Sequence, residues 1–86
     1  MKGPPPEYTA HASLVMTERG IERRWVERVL ESPSETRKDA LDPDLSHAVE
    51  LVPEFGGRVL RVVYNHKVNP PRVVTAFFDR AMKGRV

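Results

Sequence analysis

The sequence contains no cysteine, which excludes disulfide bonds and metal sites built on thiolates. Long apolar runs are also missing: the longest, "VVTAFF", is far shorter than the roughly 20 residues of a membrane-spanning helix. The first segment, "MKGPPPEY", lacks the apolar stretch of a secretory signal peptide. These absences predict a soluble, cytoplasmic protein without membrane association.

The ends of the chain differ in composition from its middle. Eighty-six residues suffice for one hydrophobic core, because a chain of this size buries roughly 60 to 65% of its surface on folding. Residues 1–7 are rich in proline and poor in apolar residues, so we expect a disordered lead-in. The composition therefore predicts one domain over residues 8–80, followed by a basic tail at residues 81–86.

Charge is distributed unevenly along the chain, although the net charge is only +2. Residues 58–86 hold seven basic side chains and one acidic one, a net charge of +6, whereas residues 1–57 have a net charge of −4. A basic half of this kind is suited to a polyanionic partner such as RNA. The same distribution is also compatible with an ordinary solvated surface.

The first third of the chain has the periodicity of two short helices. Thr9 is a suitable N-cap for the first, and Gly20 is a natural stop. One face of this helix holds His11, Leu14, Val15 and Glu18. In the second helix, which Pro33 ends, the apolar stripe consists of Trp25, Val26, Val29 and Leu30. Both stripes require a partner to cover them.

The remainder of the chain has the pattern of β-strands. The segments "RVLRVVYNH" and "PRVVTAFFD" are strong strands, rich in β-branched and aromatic residues. A third strand is predicted in "HAVELV", and a weaker edge strand in "ETRKDA". The order predicts an α+β fold, in which two N-terminal helices pack on one face of a three- to four-stranded antiparallel sheet.

Two polar residues interrupt the strong strands, Arg61 and Thr75. Alternation assigns them to the face opposite the helices. If Val63 opposes Val73 in the hairpin, Arg61 lies directly across from Thr75, and their donors suit a phosphate group. The alternative is structural: the stem of the arginine covers apolar surface, and the threonine is present for its strand propensity.

His11 is the residue best suited to proton transfer near neutral pH. Metal-independent RNA cleavage requires an acid, a base and cations around the phosphate, and His11 with Arg19, Arg61 and Thr75 forms a candidate set. The alternative is a hydrogen-bonded packing histidine on a helix. The histidines show no metal-ligand spacing, and no phosphate-binding glycine loop is present, so we expect no metal and no cofactor.

The segments "HASLVMTERGI", "WVERVLESP", "RVLRVVYN" and "RVVTAFF" together resemble the domain-of-unknown-function family 4258. That family is similar in turn to the barnase–EndoU–colicin–RelE group of metal-independent ribonucleases, which includes RelE-type and BrnT-type toxins. The resemblance implies a RelE-like fold, with His11 as acid/base, Arg61 as the cation at the phosphate and Thr75 as a donor to its oxygens. Arg19 either binds substrate or bonds backbone carbonyls near the helix end.

The expected function is therefore a metal-independent endoribonuclease, in the role of the toxin of a toxin–antitoxin pair. The candidate substrate-binding residues are Arg19, Arg58, Arg80 and Lys83, and the expected partners are RNA and an antitoxin that covers the basic surface. One alternative is a non-catalytic RNA- or protein-binding module of the same fold. Another is an interaction domain that dimerises through an exposed edge strand. The sequence leaves the oligomeric state open.

Overall fold

The computed structural model describes residues 4–82 and 84, which form two layers: two α-helices and a five-stranded sheet. The helices are α1 (Ala10–Arg19) and α2 (Arg23–Glu31). The strands are β1 (Glu7–Tyr8), β2 (Glu35–Lys38), β3 (Leu45–Val52), β4 (Arg58–Asn65) and β5 (Arg72–Phe78). Short 3-10 helices cover Pro53–Phe55 and Arg80–Met82. The predicted α+β class is confirmed.

The sheet has the strand order β1-β5-β4-β3-β2. Strands β2 to β5 pair antiparallel, but β1 runs parallel to β5, with Glu7 beside Arg72 and Tyr8 beside Val73. The sheet is therefore mixed and has five strands, whereas the sequence predicts three or four antiparallel ones. The reason is that β1 is only two residues long, follows three prolines and pairs with the distant strand β5, so no local pattern marks it.

Helix α1 begins and ends as its capping residues predict, and α2 ends two residues before Pro33. Thr9 accepts a hydrogen bond from the backbone N–H of Ala12 at 3.0 Å, and Gly20 closes α1 at φ 68°. The inward face of α1 differs from the expected one: it consists of Ala12, Val15 and Met16, while His11 and Leu14 are exposed. The small, fully buried Ala12 lets α1 lie close to β5. None of the described helices is long and apolar enough to cross a membrane.

The core lies between the helices and one face of the sheet. Its buried residues are Ala12, Met16, Ile21, Trp25, Val26, Val29, Ala48, Val52, Leu60, Val62, Val73 and Ala76. The rings of Phe55 and Phe78 stack at 4.6 Å between centroids, and Trp25 contacts both, so an aromatic cluster closes one end. The sheet face that carries His47, Arg61, Thr75 and Phe77, away from the helices, is called the open face below.

The β4–β5 register differs from the one considered in the sequence analysis. Arg61 lies opposite Phe77, and Thr75 lies opposite Val63, so the direct Arg61–Thr75 pair is wrong. A β-bulge after Val63 also turns Val73 toward the helices, although simple alternation assigns it to the open face. Strand periodicity does not determine register, because the geometry of the loop between the strands sets it.

Candidate functional site

A half-open pocket of about 780 Å³ lies where β4 begins and β5 ends. Three arginines and three phenylalanines line most of it: Arg19, Arg58, Arg80, Phe55, Phe77 and Phe78. This surface is called the arginine pocket. Its volume falls within the range of small-molecule and nucleotide sites, roughly 300 to 1,000 Å³.

Different elements supply the three guanidinium groups. Arg19, the last residue of α1, donates a hydrogen bond from an Nη atom to the carbonyl of Ala76 at 2.8 Å, and so ties the helix to β5. The guanidinium of Arg58, at the start of β4, lies 5.2 Å from the centre of the Phe55 ring. Arg80 is exposed at the start of the short helix after β5. The pocket therefore forms only when the chain folds.

Asp79 also lines the arginine pocket, but its carboxylate is paired with Arg61 and not with the three pocket arginines. Five other arginines have a carboxylate oxygen within 4.0 Å: Arg24, Arg28, Arg37, Arg61 and Arg72. Within residues 4–82 and 84, none of the three pocket arginines has such a partner. Unpaired guanidinium groups offer planar pairs of donors to the oxygens of an external anion.

Arg61 lies beside the pocket but is bound to other side chains. Its Nε donates to Oδ2 of Asp79 at 2.8 Å, and its Nη2 lies 2.7 Å from the same oxygen in an ion pair. Its Nη1 donates to Nδ1 of His47 at 3.0 Å. The Nε2 atom of His47 lies 2.7 Å from Oδ1 of Asp39. These four residues, the Asp39–Asp79 network, cross the open face, and their side chains are only 15 to 23% exposed.

Both carboxylates of the network are held in the ionised form. The hydrogen bond from Arg61, together with the positive charge of this side chain, lowers the pKa of Asp79 below its ordinary value. The hydrogen bond from His47, together with the backbone N–H groups of Asp42 and Leu41, lowers the pKa of Asp39 to about 2. The network therefore contains two fixed negative charges near neutral pH.

The structure separates the residues predicted to act in catalysis. His11 is exposed near the start of α1, on the helix side of the sheet, whereas Arg61 and Thr75 belong to the open face. His11 is also eight residues from Arg19, about 12 Å along the helix, so it lies away from the arginine pocket. Arg61 and Thr75 remain diagonal neighbours on adjacent strands.

The predicted substrate-binding residues are placed differently. The structure brings Arg19, Arg58 and Arg80 together around one pocket, while Lys83 lies outside the described residues. Arg19 also makes the bond to a backbone carbonyl that the sequence analysis considered as its alternative role. Both roles are compatible, because one guanidinium has five N–H donors.

The Asp39–Asp79 network was not predicted from the sequence, in which His47 was one of three histidines without metal-ligand spacing. A usable signal was present in the short turn before β4. Val52 pairs with Arg58 across this turn, which places Val49 opposite Arg61 and His47 diagonally next to it. In the part of the chain that the structure describes, no three His, Asp or Glu residues are grouped so that they could hold a metal ion.

Residues 8–78 match the model of a protein family described as "Domain of unknown function (DUF4258)". Because the match spans most of the 86 residues, the chain belongs to this family. No curated protein and no solved structure gives a significant match to the chain.

Proposed function

We propose that this DUF4258 protein binds single-stranded RNA, with the phosphates held in the arginine pocket. The observation that carries the proposal is the convergence of three guanidinium groups without carboxylate partners, in the described residues, beside aromatic rings. Guanidinium groups bind phosphate oxygens in pairs, and aromatic rings stack on bases without regard to sequence. This combination is typical of surfaces that follow a single nucleic-acid strand.

The shape and composition of the pocket favour an unpaired strand. A half-open space of about 780 Å³ has the size of a few nucleotides and is smaller than a duplex. Phe77 lies on the open face, opposite Arg61, whereas Phe55 and Phe78 stack on each other. We therefore assign base stacking to Phe77. The resemblance to the RelE-like ribonuclease group, which is part of this proposal, favours RNA over DNA.

The test is binding of a fluorescent single-stranded RNA to the full chain, followed by anisotropy at several salt concentrations. We expect Arg58→Gln and Arg80→Gln each to weaken binding about tenfold, because each removes a charge-assisted hydrogen bond. Each variant is also expected to reduce the salt dependence by about 0.7 in the logarithmic slope.

Arg72→Gln is the matched control for these two variants. It removes the same charge from the opposite end of β5, where the guanidinium lies 3.6 Å from a carboxylate oxygen of Glu7. We expect it to change affinity less than twofold, since this arginine already has a partner. Equal losses in all three variants, or no salt-dependent binding by the unmodified protein, would contradict the proposal.

The second candidate function is a metal-independent ribonuclease. In its toxin form, an antitoxin would cover the arginine pocket. The observation that favours it is an imidazole, His47, bonded to a guanidinium next to the pocket. Incubation of RNA with the protein in the presence of EDTA tests for cleavage. Intact RNA at saturating protein would leave a non-catalytic binding module as the function.

A further inference from the structure

The Asp39–Asp79 network has a geometry that phosphate binding alone does not require. His47 and Arg61 are diagonal neighbours on adjacent strands. His47 lies opposite Val63, and Val63 is two residues from Arg61 on the same face. Val49 and Val63, which pair with Arg61 and His47, are 3 and 7% exposed. A partly dry apolar surface thus surrounds an imidazole whose two nitrogens both have partners.

The partners of His47 determine its tautomer. A guanidinium only donates hydrogen bonds, so Nδ1 of His47, 3.0 Å from Nη1 of Arg61, must accept. The proton of the neutral ring is therefore on Nε2 and is donated to Asp39 at 2.7 Å. Asp39 is itself held by the backbone N–H groups of Leu41 and Asp42 at 3.1 and 2.9 Å. The lone pair of Nδ1 consequently points at the guanidinium.

A basic nitrogen and a cation 3 Å apart match the reacting groups of a ribonucleotide, in which the 2′-hydroxyl is next to the 3′-phosphate. We infer that His47 is the general base for cleavage of single-stranded RNA, with Arg61 at the phosphate. The inference rests on the proposed RNA binding. A phosphate that takes the Nη1 donor of Arg61 frees the Nδ1 lone pair of His47 for the hydroxyl.

The network is continuous with the arginine pocket. Asp79, which holds Arg61, lines the pocket, and so does Phe77, the cross-strand partner of Arg61. A strand that leaves the pocket past Phe77 and continues along the open face would meet Arg61 and then His47. His11, in contrast, lies on the other side of the sheet, and His66 bonds Ser46 instead of an arginine.

The reaction is a transesterification within the RNA. Nδ1 of His47 accepts the proton of the 2′-hydroxyl while the 2′-oxygen forms a bond to phosphorus, and the bond from phosphorus to the 5′-oxygen breaks. The leaving oxygen takes a proton from water, and the imidazolium returns its own proton to solvent. The products are a 2′,3′-cyclic phosphate and a 5′-hydroxyl, and no oxidant or reductant is needed.

The experiment uses a fluorescent single-stranded RNA, and the same oligonucleotide with 2′-deoxy nucleotides, in the presence of EDTA. We expect the unmodified protein to cleave the RNA to a cyclic phosphate and to leave the deoxy oligonucleotide intact. His47→Gln is expected to lower kcat at least about 100-fold, with the RNA dissociation constant unchanged. His66→Gln, the matched control, is expected to cleave at a rate within about twofold of the unmodified protein.

Every other outcome contradicts the inference, and the result shows whether the base, the cleavage or the RNA binding is absent. Normal cleavage by His47→Gln, an equal loss in His66→Gln, or cleavage of the deoxy oligonucleotide would remove His47 as the base. RNA that is bound but never cut would overturn the inference while leaving the proposed binding intact, and absence of binding would overturn both. If His47→Gln does not fold, His47→Asn, which also lacks the basic nitrogen, decides the question.

Asp39 is a positioning residue in this arrangement, because it contacts His47 and not the RNA. Asp39→Asn preserves an oxygen that accepts from Nε2 but removes the negative charge. We expect it to lower kcat about tenfold while KM stays constant, since a less polarised imidazole is a weaker base. A change confined to KM, or equal loss of both activity and folded protein, would indicate a structural role.

Discussion

On the sheet face that α1 and α2 cover, β4 contributes Leu60 and Val62, both without exposed surface. On the open face the same strand contributes Arg61 between Val59 and Val63, which are 1 and 7% exposed. Alternation along one strand thus supplies the core from one side and a polar site from the other. The buried valines matter to the site, because ionic hydrogen bonds strengthen where water is partly excluded.

We expect the helix-covered face to supply most of the stability, and Leu60→Ala tests this with the largest expected effect. Removal of a fully buried leucine side chain leaves a cavity, so we expect the free energy of unfolding to fall by about 2 to 5 kcal/mol. Chemical denaturation followed by circular dichroism measures it. Leu41→Ala, at a position 93% exposed, is the control and should change stability by less than about 0.5 kcal/mol.

The open face should depend on ion pairing as well as on its buried valines, and Arg61→Met tests this with an intermediate effect. The substitution leaves Asp79 and His47 without their shared donor, so we expect a loss of about 1 to 3 kcal/mol in unfolding free energy. Arg37→Met removes an exposed pair with Glu35 and should cost less than about 0.5 kcal/mol. Equal costs for the two variants would mean that the valines do not shield the network.

Features that depend on neighbouring residues in the chain were predictable. Thr9 and Gly20 mark the ends of α1 because capping chemistry is local, and the stripe of α2 buries Trp25, Val26 and Val29 as its spacing indicates. The strong strands β4 and β5 follow from their β-branched and aromatic residues. In each case the physical signal lies within a few residues of the element itself.

Features that depend on pairing between distant segments were not predictable. The bond between Arg61 and Asp79 requires the β4–β5 register, which the loop and the bulge set. The exposure of His11 depends on the rotation of α1, which buries Ala12, Val15 and Met16. From the sequence, the arginine pocket could be predicted only as a set of basic residues, because residues 19, 58 and 80 come together only in the folded chain.

The smallest expected effect in this comparison is the response of the open face to acid. Asp39 has a pKa of about 2 in the folded protein, against an ordinary value of 3.8, and the pKa of Asp79 is also lowered. The unfolded chain therefore binds more protons between these values, so stability is full above about pH 4 and is lost as the pH falls toward 2. Unfolding free energies measured across this range should have a smaller slope in Asp39→Asn and Asp79→Asn than in the unmodified protein. An unchanged slope in both variants would mean that each carboxylate has the same pKa in the folded and the unfolded chain. Other groups would then cause the acid sensitivity.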